Sequence, residues 1–484
     1  MLLVASFLFM FCCNKLDKID ESSIKFRTLN PSDTGINFKN KLTYNTKVNI
    51  IEYLYYYNGG GVAVGDINND GLEDIYFSGN QVSDRLYLNL GNLKFQDITP
   101  TSGIKTDNSW SNGVSFEDVN NDGYLDIYVC KVGPLSPKGT HNLLYINNKN
   151  MTFTESSSQL GLNFSGFSTH STFLDYDKDG DLDMYLMNHA IHTVRSYGSS
   201  KKRNETDELS GDKFFENRLN EKEKKFIDVT KESKIYNSPL GYGLALTTTD
   251  FNNDGWLDIY VGNDFHENDY LYLNNKDKTF TESIKNSMSH TSHFTMGVDV
   301  ADLNQDGKLD VFTTDMMPYD PKILLKSGGE DLDKISRIKK DLGFEQQFSR
   351  NHMQINKGNN TFSEVAIQTN THATDWSWGV LLQDFDSDGR DDIFISNGIL
   401  KRPNDLDYIN YLSNVDFREY NNSRQDVIKK KLIDKMPTLK IPNLFFKNNG
   451  NLNFEKVNSF YTGIPSYSNG AAYADLDLDG DLDI

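Results

Sequence analysis

Cysteine is nearly absent: the 484 residues include three, Cys12, Cys13 and Cys130. Two of these stand in an N-terminal apolar stretch, which leaves Cys130 alone in any mature body and excludes an internal disulfide framework. Proline is scarce as well, 11 residues against 35 glycines, so tight turns rest on Gly, Asn and Asp. Positive charge is short: 49 basic side chains face 69 acidic ones, a net charge of -20. That balance argues against nucleic acid as a partner, because a phosphate-binding surface needs a basic excess. What is present is enough apolar material for a core. With 37% hydrophobic and 12% aromatic residues, global disorder is excluded. The length allows roughly three average domains or one large closed architecture.

The apolar run LLVASFLFMF at residues 2–11 is too short to span a bilayer comfortably and reads as the core of a secretory signal. The following Cys12-Cys13-Asn14-Lys15 resembles the end of a bacterial lipoprotein signal, with Cys13 as the lipidated residue. No Lys or Arg precedes the run, and Met10 and Phe11 are bulkier than usual at such a site. A plain cleaved signal and a buried strand are the other readings. On the first, residues 1–13 are the signal, 14–23 a polar tether and 24–484 the folded body, attached to a membrane through lipid alone.

One nine-residue pattern occurs seven times: DINNDGLED, DVNNDGYLD, DYDKDGDLD, DFNNDGWLD, DLNQDGKLD, DFDSDGRDD and DLDLDGDLD. Asp fills positions 1, 5 and 9, Asp or Asn position 3, and Gly position 6. Hard divalent cations explain the pattern, since calcium takes six to eight oxygens from carboxylate, amide and backbone donors. The expected ligands are Asp66, Asn68, Asp70 and Asp74 in the first loop, and Asp118, Asn120, Asp122 and Asp126 in the second. Asp175, Asp177, Asp179 and Asp183 follow, then Asp250, Asn252, Asp254 and Asp258. The last three sets are Asp302, Asn304, Asp306, Asp310; Asp384, Asp386, Asp388, Asp392; and Asp475, Asp477, Asp479, Asp483. Up to seven calcium ions are implied. An EF-hand is excluded because the twelfth residue, a bidentate Glu there, is here Phe77, Val129, Leu186, Val261, Thr313 or Ile395. Solvated Asx-rich turns are the bland alternative, which seven complete copies disfavour.

Around each loop, strand-like segments recur: in the first unit GVAVGD enters, DIYFSG leaves, and RLYLNL and KFQDIT follow across an Asn/Gly turn. Four antiparallel strands repeated seven times predict an all-β, seven-bladed β-propeller. Its residues closely resemble the FG-GAP or VCBS repeats of integrin alpha-like propellers, and in particular the bacterial relatives of cartilage acidic protein. The segments that carry the resemblance are YNGGGVAVGDINNDGLEDIYFSGN, QQFSRNHMQINKG, KRPNDLDYINYLSN and PSYSNGAAYADLDLDGDLDI. It implies calcium in each loop between first and second strands, and an ASPIC/UnbV domain beyond residue 484. It implies no reaction.

The seventh unit stops after its loop, so its blade is expected to be incomplete, lacking roughly 20 to 30 residues. Lys25 to Leu29 followed by SDTGI copies KFQDIT followed by TSGI. That N-terminal strand is expected to pair into blade seven and close the ring.

Strand alternation places the acidic loops on one face. The insertions at about 188–213, 315–350 and 397–442, between second and third strands, fall on the other. Insertions confined to one face of a repeat array commonly build its binding surface. His170, His189, His192, His266, His290 and His293, with Trp110, Trp376 and Trp378, map there as candidate ligand-face residues. Ordinary hydrogen-bonded or packing side chains are the alternative, and no HxH or HExxH spacing marks a zinc site. Three functions follow. The first is a monomeric binding or adhesion module for a polysaccharide or extracellular protein, sited in a bacterial cell envelope as an outer-membrane or surface lipoprotein, or else secreted or periplasmic. The second is a scaffold for a further domain, and the third a glycan-active enzyme drawing on His189, His192, Asp264, Glu267 and Asp315. No catalytic motif marks the last.

Overall fold

The computed structural model describes residues 26–484 apart from 46, 137, 192–197, 416–424 and 458–463. Cys13 and His192 therefore lie outside the described residues.

Six four-stranded antiparallel sheets form, each in simple chain order. They are six blades of an all-β propeller. Blade one comprises Val62–Gly65, Asp74–Phe77, Arg85–Asn89 and Phe95–Asp97. Blade two comprises Ser111–Glu117, Asp126–Lys131, Leu143–Asn147 and Phe153–Glu155. Blade three comprises Ser168–Leu174, Asp183–Asn188, Lys213–Arg218 and Lys225–Asp228. Blade four comprises Gly243–Thr249, Asp258–Asn263, Tyr270–Asn274 and Phe280–Glu282. Blade five comprises Gly297–Ala301, Asp310–Thr314, His352–Asn356 and Phe362–Glu364. Blade six comprises Ser377–Gln383, Asp392–Asn397, Leu444–Asn448 and Phe454–Lys456.

First strands of successive blades lie side by side around the middle. Second strands from blade two onward are buried along their whole length. The apolar stretches inside them, IYVC in blade two, MYLM in blade three and IFI in blade six, fit burial on both faces of the strand. The core is accordingly divided among the gaps between blades. Ile127, Tyr145, Ile67 and Tyr76 fill the gap between blades one and two. Phe312, Ile355, Ile393 and Phe446 fill the gap between blades five and six.

The seventh repeat contributes a single bridge, Ala474 to Asp483, in place of a sheet. It nevertheless sits between blades six and one. Asn469 accepts at its carbonyl from Gly379 N at 3.4 Å and donates from Nδ2 to the Tyr57 carbonyl at 3.2 Å. Tyr473 and Leu482 pack with Phe385, Phe394 and Phe445 of blade six, and Leu476 packs with Tyr87 and Phe95 of blade one. Phe26 joins the former group, its ring 6.1 Å from Phe385 and 6.0 Å from Phe445. The chain then makes a helical turn, Pro31–Thr34, closed by Gly35 at φ 86°. Blade one leaves its fourth strand through the same device, Thr99–Ser102 and Gly103 at φ 85°. A Cβ at Gly35 would collide with the Phe95 carbonyl, and one at Gly103 with the Phe153 carbonyl. Residues 26–35 thus stand to blade one as 95–103 stand to blade two.

The three insertions run between second and third strands, as their spacing predicts. The second carries helices Pro321–Leu324 and Asp333–Asp341 and the third Leu406–Ser413 and Gln425–Lys435. Ser327 bridges to Asp405, Gly328 N donates to the Asn404 carbonyl at 2.8 Å, and Leu406 N to the Lys326 carbonyl at 2.7 Å. No helix among the described residues is long and apolar enough to cross a membrane.

Candidate cation loops and the face opposite them

All seven acidic loops adopt one conformation. The position-1 carboxylate accepts from the backbone N–H of positions 5 and 6: Asp66 takes Asp70 N at 3.1 Å and Gly71 N at 2.7 Å. Asp475, in the seventh loop, takes Asp479 N at 3.1 Å and Gly480 N at 3.0 Å. Positions 4 and 6 are both left-handed, from Asn69 at φ 59° and Gly71 at φ 87° to Leu478 at φ 61° and Gly480 at φ 94°. Nothing crowds Gly71 or Gly480, so glycine is needed there for its φ alone. The position-9 carboxylate is a buried strut. Asp126 accepts Val119 N at 3.2 Å with one oxygen and Asn147 N at 2.8 Å with the other, joining its loop to the third strand. Burial pushes its carboxyl up to about 7, with the two backbone donors opposing. Asp183 goes further, to about 9.

In three loops the carboxylates converge within 4.8 Å of one another: Asp175, Asp177 and Asp183; Asp384, Asp386 and Asp392; and Asp475, Asp477 and Asp479. Loops one, two, four and five replace the position-3 carboxylate by the amide of Asn68, Asn120, Asn252 or Asn304. Asn120 Oδ1 and Asp386 Oδ1 are buried acceptors with no hydrogen-bond partner, an expensive condition for a lone polar atom. An oxygen-only donor set with orphaned, inward acceptors fits a hard cation. Lysine ammonium groups also reach the position-3 carboxylates of two loops: Lys278 Nζ lies 2.6 Å from Asp177, and Lys447 Nζ bonds Asp386 and lies 3.1 Å from Asp388, while Lys149, Lys276 and Lys308 pair with the position-5 carboxylates of Asp122, Asp254 and Asp306.

The loops are tied to one another. The last Asn of each third strand donates from Nδ2 to the position-2 carbonyl of the preceding loop: Asn147 to Ile67 at 2.8 Å, Asn217 to Val119 at 3.1 Å and Asn274 to Tyr176 at 2.8 Å. Asn356 reaches Phe251 at 2.9 Å, Asn448 reaches Leu303 at 3.1 Å, and Asn89 of blade one reaches Leu476 of the seventh loop at 2.9 Å.

The opposite face is closed by a segment with no repeat signal. Tyr53, Tyr55, Tyr56 and Tyr57 are buried with Trp110, Tyr242, Trp376, Trp378, Tyr408 and Ile433. Beneath them lies a cavity of about 260 Å³, lined by Tyr53, Tyr55, Asn112, His170 and Trp378 among others. Tyr53 Oη lies 3.0 Å from His189 Nε2, and Tyr55 Oη donates to Asp264 Oδ2 at 3.1 Å. His189 is therefore an anchor for the tyrosine segment, and Trp110, Trp376 and Trp378 are core. His170 Nδ1 accepts its neighbour's N–H, from Ser171, at 2.8 Å. His266 packs edge-on to Phe344 at 5.2 Å. His293 Nδ1 lies 3.1 Å from Ser349 Oγ, and its Nε2 lies 2.8 Å from Lys339 Nζ. Each of these four imidazoles is thus engaged within the protein, and His170 also lines the cavity. The carboxylates suggested for catalysis are engaged too. Asp264 holds Tyr55, Glu267 pairs with Arg203 and accepts Tyr270 Oη at 2.8 Å, and Asp315 accepts Ser292 Oγ at 2.5 Å. Burial pushes Asp264 up to about 8 and Asp315 to about 7.

Residues 66–129, 250–313 and 340–395 match the FG-GAP-like repeat family. Those three segments carry FG-GAP-like repeats. Over 210 residues, 43% of its length, the chain is 27% identical to cartilage acidic protein 1 of Xenopus tropicalis, of which the matched region spans 29%. Among solved structures, an Agrocybe aegerita lectin described as recognising non-reducing terminal N-acetylglucosamine aligns at 15% identity and TM-score 0.41, over 83% of this chain and 81% of the lectin. The V. cholerae biofilm matrix protein Bap1 aligns at 15% identity and TM-score 0.28, over 55% of this chain and 36% of that one.

The three matched FG-GAP-like segments each contain at least one acidic loop. They leave out the tyrosine segment and the first and third insertions, which carry no repeat signal. The one cue to the former is its density of tyrosines just ahead of the first FG-GAP-like strand.

Proposed function

We propose that the chain is a calcium-stabilised, seven-bladed binding module of a bacterial cell envelope, related to the cartilage acidic proteins and lipid-anchored at Cys13. The observation that carries the calcium reading is the single loop conformation held in seven copies, with orphaned inward oxygens at Asn120 and Asp386. Seven blades are favoured by the Asn89 bond to Leu476 and by the packing of Phe26 beside blade six. On this reading, the N-terminal strand and the seventh repeat share one blade.

The binding role rests on how the two faces differ. One is knitted from acidic loops. The other is built by the joined insertions and exposes the aliphatic side chains of Leu325, Leu332, Ile409 and Val427. Such exposure favours an extracellular protein over a polysaccharide as partner. The test is an array carrying envelope proteins and glycans, probed in millimolar calcium with the protein and with a Leu325→Asp/Leu332→Asp variant. Binding to protein spots that the variant loses supports the reading. Binding that the variant keeps, or that is confined to glycans, contradicts it.

A further inference from the structure

At the outer edge of blade five, His290, His352 and Glu364 bring one ligand atom each within 4.8 Å of one another. His352 opens the third strand, Glu364 ends the fourth, and His290 belongs to the connection that leads into the blade. No spacing in the sequence announces this group. It is assembled by the hairpin register, in which Glu364 pairs with Gln354, two residues along from His352.

The imidazoles are already oriented. His352 is 1% exposed. Its Nδ1 lies 2.9 Å from the Arg350 carbonyl, an arrangement that places the proton on Nδ1. Its Nε2 is then a lone-pair donor, buried and without a hydrogen-bond partner. His290 Nδ1 lies 2.8 Å from Ser289 Oγ, and its Nε2 lies 3.6 Å from Glu364 Oε2. Gln354 Nε2 donates to the His290 carbonyl at 2.8 Å and fixes the connection against the hairpin. An imidazole whose far nitrogen is held by a carbonyl or hydroxyl is the usual supporting arrangement of metal-binding histidines. A buried imidazole nitrogen with nothing to bond, aimed at a second imidazole and a carboxylate, asks for a Lewis acid rather than a proton.

We propose that His290 Nε2, His352 Nε2 and the Glu364 carboxylate bind a transition-metal ion of the zinc class. Two imidazoles and a carboxylate suit zinc or cobalt and offer calcium little. The site is therefore chemically separate from the acidic loops, and it lies on the opposite face. Three protein ligands leave a coordination position for water or an outside ligand, and the half-buried His290 edge gives access to it. Arg350 is the competing group: its guanidinium donates to Glu364 Oε2 at 3.0 Å and lies 3.4 Å from His290 Nε2. Metal binding displaces it from the histidine.

The experiment uses the full chain, prepared without a histidine tag and kept in millimolar calcium, titrated with Co2+ and back-titrated with Zn2+. One equivalent of Co2+ with the visible absorption of a low-coordinate nitrogen and oxygen site, displaced by zinc, is expected. His352→Gln and His290→Ala should each lose affinity by about 10- to 100-fold or more, while Arg350→Met keeps or tightens binding. His290 is partly exposed, so its alanine variant keeps the test open if the buried His352 variant fails to fold. Absence of any cobalt spectrum at micromolar concentration overturns the proposal, as does binding unchanged in folded His290→Ala.

Discussion

Asn89 donates from Nδ2 to the Leu476 carbonyl, 2.9 Å away across 387 residues of chain. The same amide donates to the Glu73 carbonyl at 3.0 Å, and its oxygen accepts Gly91 N at 2.9 Å. One side chain thus serves its own loop, its hairpin turn and the loop of the seventh repeat. Asn89→Ala strips a buried carbonyl at each end of the ring, at about 1 to 3 kcal/mol. Urea unfolding should show that loss, while Asn275→Ala, on an exposed turn, should stay within about 0.5 kcal/mol.

Arg402 and Asp375 form an ion pair at 2.7 Å with side chains 4% and 0% exposed. Arg402 N also donates to the Pro437 carbonyl at 3.0 Å, so the pair pins the third insertion to the entry of blade six. Removing one partner leaves a buried charge, so Arg402→Ala should cost about 3 to 5 kcal/mol. Arg402→Lys should restore only part of it.

The tyrosine segment gives a pH dependence. Burial pushes His189 down to about 4, so the folded protein holds it neutral where the unfolded chain takes up a proton near its ordinary value of about 6.5. Its contribution is complete above about pH 6.5 and is lost as pH falls toward 4. His293 and His352 are also depressed by burial and act in the same direction. The informative quantity is therefore the difference between the protein and His189→Gln. Melting temperature against pH should fall less steeply on the acid side in the variant.

Tyr55→Phe removes the hydroxyl that Asp264 accepts. The acid keeps Phe265 N at 2.9 Å, so the loss should be about 1 to 2 kcal/mol. Tyr124→Phe, on a half-buried loop position, should change little.

The fold was largely legible because its information is local and repeated. Asp and Gly at fixed offsets dictate each loop, and Asn/Gly turns dictate the outer hairpins. The insertions showed themselves as excess spacing on one side. The seventh repeat was legible as a loop whose blade was expected to be incomplete, and among the described residues it forms one bridge, Ala474 to Asp483, rather than a sheet. On the opposite face two readings stood open, recognition groups or ordinary hydrogen-bonded and packing side chains, and His189 and Trp110 are packed against the tyrosine segment. Nothing in a repeat pattern reveals that Tyr53 to Tyr57 cover them. His290 stood among the candidates, but its meeting with His352 and Glu364 was not legible, because it depends on a hairpin register and an inter-blade connection, which no short motif encodes.

Calcium-dependent melting tests the central claim most directly. With dissociation constants of about 0.1 to 1 mM, typical of extracellular calcium modules, seven sites in millimolar calcium add roughly 3 to 10 kcal/mol. The chain should melt about 3 to 10 °C higher in calcium than in chelator, and Asp118→Ala should narrow that gap. Equal melting temperatures in calcium and in chelator would contradict the account.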